Sequence, residues 1–158
     1  MAETKFRVDS RLIHGQVIAR WAKKWGTRRI IIADESLAND DFMKDIYVMA
    51  APPDIRVDVC TPKQAVEMWT NGDIQKTATL LLFKNIPGVY EAVREGLAIA
   101  DLQIGGLPGG PGRELVYKAI SLDGTDRKLL DELSQSGVRV FFQMLPEEEP
   151  CLYEKKNA

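Results

Sequence analysis

The chain has a single histidine, His14, in 158 residues, and only two cysteines, Cys60 and Cys151, far apart and outside any C-x-x-C pattern. That is too few ligands of the right spacing for a zinc site, so no metal is expected, and the cysteines read as idle reduced thiols. No apolar run reaches the length that spans a bilayer. The opening "MAETKFRVD" lacks the apolar stretch of a signal peptide, so a cytoplasmic location is expected. There is no G-x-x-x-x-G-K-[ST], and the glycines of "GGLPGGPG" (105–112) do not fit G-x-G-x-x-G. No nucleotide or other cofactor is therefore expected. No nucleic-acid motif occurs either, and the net charge of −2 argues against a nucleic-acid partner.

What is present is ordinary in bulk and uneven in detail. An apolar fraction of 45% and a charged fraction of 28% describe a globular protein with enough chain for one well-filled core. Within residues 1–29, Lys5, Arg7, Arg11, Arg20, Lys23, Lys24, Arg28 and Arg29 face only Glu3 and Asp9. The rest of the chain must then be acidic. A local positive field around His14 suits a phosphate or an acidic partner.

Short apolar runs alternate with helical patterns. "KFRV" (5–8), "RIIIA" (29–33), "IRVDVC" (55–60), "ATLLLF" (78–83), "DLQI" (101–104), "YKAISL" (117–122) and "VRVFFQ" (138–143) read as strands. Between them lie helices: one from His14 through Trp25, one over 39–50, one capped by Thr61 ahead of Pro62, one from Pro87 to Gly96 and one over 123–137. Trp21 and Trp25, at helical spacing, are expected in the core. This order predicts an α/β fold, an open, mostly parallel β-sheet of about seven strands with helices on both faces. One domain over 1–145 is expected, followed by a loosely held, acidic and then polar tail over 146–158.

In such sheets, sites form at the carboxyl ends of the strands. His14 follows the first strand by a few residues and opens a helix, where unpaired backbone N–H groups stabilise a bound phosphoryl group. Arg11 adds a planar cation able to grip phosphate oxygens in two places. Gly15 leaves the approach clear. Asp9 is expected either to accept a hydrogen bond from one ring nitrogen and so present the other, or to orient Arg11. The set suits phosphoryl transfer through a covalent phosphohistidine. The glycine-rich loop (105–112) should lie on the same rim. A histidine phosphatase is a poor fit, because Ile13 stands where the R-H-G motif has arginine and no second histidine exists.

"FRVDSRLIHGQV" resembles the N-terminal motif of the enzyme IIB component of the mannose/fructose/sorbose-type bacterial sugar phosphotransferase system. The resemblance continues through "RIIIADESLANDDFMKDIYVMAAPP", "LLLFKN", "QIGG" and "GRELVYKAISL". It implies that His14 is the phosphorylated nucleophile and that Arg11 assists the transfer; with the reading of the loop, Asp9 is expected to join them, and Arg7, Gly15 and Gln16 are expected at the phosphate. The implied partners are a phosphorylated IIA protein or domain, the IIC/IID membrane subunits, the sugar being imported, and a second copy of the chain in a homodimer. The chain would then sit in the cytoplasm and dock at the inner face of the plasma membrane. The other role open to the same chemistry is a regulatory phosphohistidine acceptor uncoupled from transport. The proline- and glycine-rich "LPGGPG" and the tail "EEEPCLYEKKNA" depart from the family pattern.

Overall fold

The computed structural model describes residues 2–154, apart from the side chain of Gln16. Its first half runs β1 (Thr4–Val8), α1 (Gly15–Trp25), β2 (Arg29–Ala33), α2 (Glu35–Ala38), α3 (Asp41–Met49), β3 (Arg56–Cys60), α4 (Pro62–Thr70) and β4 (Thr79–Phe83). Its second half runs α5 (Ile86–Arg94), β5 (Asp101–Ile104), β6 (Glu114–Tyr117), β7 (Ile120–Leu122), α6 (Gly124–Gln135), β8 (Arg139–Phe142) and β9 (Cys151–Leu152). Seven strands form one sheet in the order β3-β2-β4-β1-β5-β8-β9. Every pair is parallel except β8 with β9. The α/β architecture expected from the alternating pattern is therefore the one observed.

β2 and β4 are buried at every position, which is why both are unbroken apolar runs. On one face of the sheet, α1 and α3 cover Ile30, Ile32, Val57, Leu80 and Leu82, with Leu12 and Ile18 between. On the other, α4, α5 and α6 cover Phe6, Val8, Ile31, Leu81, Phe83 and Ile104. Ile18, Trp21 and Ala22 of α1 recur at helical spacing and are at most 2% exposed. Trp21 is thus core, as its spacing implied, and Trp25 stacks on it with ring centres 4.5 Å apart. On α3, Phe42, Ile46 and Met49, which share a face at helical spacing, turn outward, while Met43 and Tyr47 pack against the sheet.

Two expectations need correction. "YKAISL" is not a strand of the main sheet. The chain turns at Lys118, whose φ is +41°, and β6 and β7 form a separate antiparallel hairpin. The seventh place in the sheet goes to β9, in the segment expected to be a loose tail. That segment is held: Cys151 and Leu152 pair with Phe142 and Phe141. The Gln143 side chain donates to the Glu148 carbonyl, and the Tyr153 hydroxyl donates to Asp131. Its polar composition concealed this, because an edge strand is held by backbone bonds that composition does not report. Residues 155–158 lie outside the described residues.

The topology places the site. The chain leaves β1 toward β2 and leaves β5 toward β8, in opposite directions along the sheet. A crevice therefore opens above the carboxyl ends of these adjacent strands, the position where open α/β sheets bind ligands.

Candidate functional site

The loop after β1 is pinned on both sides. The Asp9 N–H donates to the Phe83 carbonyl at 3.0 Å, and the Ser10 N–H donates to the Gly106 carbonyl at 2.9 Å. Leu12 N–H closes a turn onto the Asp9 carbonyl, with Leu12 at φ +56° and wholly buried. His14 is then the N-cap residue of α1, in extended backbone. Gly15 starts the helix at φ +46°, a conformation that glycine adopts without strain, with open space where a side chain would stand.

The imidazole is largely covered, with 16% of its side chain exposed, and it leans on a carboxylate that is not exposed at all. His14 Nε2 lies 3.2 Å from Asp9 Oδ2. The other Asp9 oxygen accepts the Arg11 backbone N–H at 3.1 Å. Asp9 thus stands within hydrogen-bond distance of one ring nitrogen and also holds the Arg11 backbone, not its guanidinium. The Arg11 side chain is exposed, and its Nη2 lies beside Gly106.

Helix α1 also differs from its neighbours at its start. Asp34, Asp40, Thr61, Asn85 and Asp123 each accept a backbone N–H at the head of α2, α3, α4, α5 and α6. Among the described residues, α1 alone of the α-helices has no side-chain cap, and its first turn carries no acid. Its leading amides are free of side-chain acceptors and suited to an anion.

Arg7 is where the sequence reading requires correction. It was expected at the phosphate, but its side chain is fully buried beneath Asp9. Strand alternation turns it onto the α1 face, where Asp9 Oδ2 accepts from its Nη2 at 3.1 Å. The Gln143 carbonyl accepts from Nη1 at 3.0 Å, and the Gln103 side-chain oxygen accepts from the same nitrogen. Burial lowers the Arg7 pKa from its ordinary value, and Asp9 works in the opposite direction. Arg29 is likewise buried, paired to Asp58 and Asp73, so the basic N-terminal surface is smaller than the residue count implies. Arg20, Lys23 and Lys24 remain exposed along α1, with Arg20 paired to Glu147.

Of the predicted residues, the fold brings together His14, Asp9, Arg11 and Gly15, and it puts Arg7 behind them. Gln16 is the second residue of α1, and its side chain lies outside the described residues. The sequence reading missed Gln103, Gln143 and Met144, which hold Arg7. The signal was one glutamine near the end of each of two strand-like runs, "DLQI" and "VFFQ". The glycine-rich loop is on the rim as expected and is anchored there. Leu107 bridges to Ile120, and Arg113 binds the Pro108 carbonyl, the Ser121 carbonyl and Asp123.

Residues 4–155 match the family model described as PTS system sorbose subfamily IIB component. The chain is 39% identical over 140 residues to the PTS system sorbose-specific EIIB component of Klebsiella pneumoniae, covering 89% of this chain and 85% of that one. It is 31% identical over 134 residues to the PTS system mannose-specific EIIAB component of Escherichia coli (strain K12), covering 85% of this chain and 42% of that one. Among solved structures it resembles manxB from Thermoanaerobacter tengcongensis, with a TM-score of 0.88 and 40% identity over 96% of this chain and 93% of that one.

Proposed function

The chain belongs to the sorbose subfamily of PTS IIB components, phosphotransferases of sugar transport, and on that premise we propose that His14 is its phosphoryl acceptor and Nδ1 the atom that carries the group. The observation that carries this reading is the pairing of Nε2 with the buried Asp9. A ring whose Nε2–H is donated to a carboxylate has its lone pair on Nδ1. The donor is a phosphorylated IIA protein or domain, and the mannose relative's name, EIIAB, joins two such parts in one protein. The acceptor is a sugar presented by IIC/IID membrane subunits.

In the first step the Nδ1 lone pair attacks phosphorus, the donor's N–P bond breaks, and its electron pair returns to the donor nitrogen. The amides at the start of α1 receive the phosphoryl oxygens, and Arg11 grips them in two places. In the second step a sugar hydroxyl attacks phosphorus, the Nδ1–P bond breaks toward the ring, and the hydroxyl proton is released. The Nε2 proton stays on the ring, donated to Asp9, in both. Arg20, Lys23 and Lys24, exposed along α1, favour an acidic docking surface. No helix of the described residues is long and apolar enough to cross a membrane, and the working place we propose is the cytoplasmic face of the transporter.

The test is transfer from phosphoenolpyruvate through the general phosphotransferase proteins and a IIA donor, with the modified peptide mapped under alkaline conditions. Label on His14, absent in His14→Ala, is expected. A His14→Ala protein that still takes label would overturn the assignment.

A further inference from the structure

We propose that Arg7 is a positioning residue that holds Asp9 against His14 Nε2 and so decides which ring nitrogen is free, and that Gly105 lacks a side chain because this buried pair fills its place. The inference builds on the phosphocarrier reading of His14 but is tested without any phosphate.

Asp9 is immobilised at both oxygens. Oδ1 accepts the Arg11 N–H, and Oδ2 lies 3.1 Å from Arg7 Nη2 and 3.2 Å from His14 Nε2. A carboxylate wholly out of water is costly unless it is paired, and Arg7 is the cation that pairs it. The two terminal nitrogens of the guanidinium are held on the far side as well. Nη1 donates to the Gln143 carbonyl and to the Gln103 side-chain oxygen, and Nη2 lies 3.5 Å from the Met144 carbonyl, while Nε has no partner among the described residues. Gln103 is itself oriented, because its amide donates to the Gln143 side-chain oxygen at 3.1 Å. The Gln143 amide donates onward to the Glu148 carbonyl at 2.7 Å. Trp21 closes the remaining side, its ring centre 5.5 Å from Arg7 Cζ and its indole N–H on the Met144 carbonyl. Every amide in this chain points one way, so the Arg7 fork has one orientation and Asp9 has one.

Gly105 gives a second, independent observation. A Cβ there would stand 2.3 Å from Arg7 Nη2 and 2.7 Å from Asp9 Oδ2. Its backbone is not left-handed, so space and not torsion excludes a side chain. The guanidinium that would have to yield is held by backbone carbonyls. Alanine at 105 must therefore part Arg7 from Asp9, and a displacement of about 1 Å at a reacting group costs on the order of a hundredfold in rate.

Because His14 is the only histidine, its ring nitrogens can be observed without assignment ambiguity in full-length, unphosphorylated protein by long-range 1H–15N correlation spectra. The parent should show a single Nε2–H tautomer with an exchange-protected Nε2 proton. Gly105→Ala, which alters no charge, and Arg7→Met should each keep dispersed amide spectra, lose that protection and move toward mixed tautomers. Phosphate acceptance should slow roughly a hundredfold. Should Arg7→Met fail to fold, Gly105→Ala decides. A folded Gly105→Ala protein that retains the protected Nε2–H, or a parent that lacks it, would overturn the proposal. A parent with the expected tautomer that takes no phosphate from a IIA donor would instead count against the phosphocarrier reading alone.

Discussion

The sheet face under α1 has two unlike halves. Beneath α1 and α3 it is entirely apolar, with Ile30, Ile32, Leu80 and Leu82 fully buried. Beside it, over β1, β5 and β8, the same face presents Lys5, Arg7, Asp101, Gln103, Arg139 and Gln143. Trp21 of α1 reaches over the Arg7 end of that second half. That half is bounded by Trp21, Trp25 and the loop around Pro146–Pro150, which leave a groove of about 540 Å³. The apolar half contributes stability through burial, roughly 25 cal/mol per Å². The polar half is organised by direction, through a chain of donors and acceptors that ends at Asp9. The two halves should therefore fail differently when changed.

The largest loss is expected at the end of the polar chain. Asp9→Ala removes the counter-ion of a fully buried guanidinium, and breaking such a pair costs about 3–5 kcal/mol. Urea unfolding at unchanged m-value measures it. A loss below about 1 kcal/mol would mean that Arg7 is not dry and that the polar half is no more than a wet surface. Leu82→Ala probes the other half. A fully buried leucine truncated in a packed core costs about 3 kcal/mol. Single-turnover phosphoryl transfer by the folded variant should nonetheless stay within about threefold of the parent. Parallel collapse of transfer would show that the halves are not separable.

Arg11→Lys should do the reverse. The side chain is exposed, so stability should change by less than about 0.5 kcal/mol. Onward transfer should fall roughly a hundredfold, because an ammonium cannot replace a two-pronged grip on the transferring group. Transfer within about threefold of the parent would leave Arg11 a mere electrostatic neighbour. The smallest effect, on no function at all, separates the two edges of the sheet. Cys60 ends β3 at one edge and Cys151 starts β9 at the other. Burial pushes the Cys60 thiol up to about 12, so at pH 8 it is almost wholly protonated. Cys151 is exposed. Ellman's reagent should titrate one thiol in native protein and two after denaturation. Two fast thiols would mean that the β3 edge opens readily.

Most of the fold was legible because period and punctuation are local. "RIIIA" and "ATLLLF" have the pattern of strands buried on both faces, and Thr61-Pro62 announced the helix that follows it. Three segments were not legible. The outward turn of Phe42 and Met49 depends on how α3 is rolled against β3 and β2, which its own periodicity leaves open. The hairpin at Lys118 and the pairing of Cys151–Leu152 with β8 are set by partners distant in sequence. The site divided in the same way. Asp9, Arg11, His14 and Gly15 were legible because they share one short loop, and a strand-to-helix turn brings them together whatever surrounds it.

By itself, then, the sequence determined the α/β order, the position of His14 at the head of a helix and the company it keeps within six residues. Tertiary structure alone decided that Arg7 is buried and not at the surface, that Gln103 and the Gln143 and Met144 carbonyls hold it, and that Gly105 has no room for a methyl group. The physical reason is the range of the interactions. Helix caps and strand alternation act between residues a few positions apart. The desolvation that makes an arginine demand a carboxylate exists only once β1, β5 and β8, nearly a hundred and forty residues apart at the extremes (Arg7 to Gln143, |i−j| = 136), have closed around it.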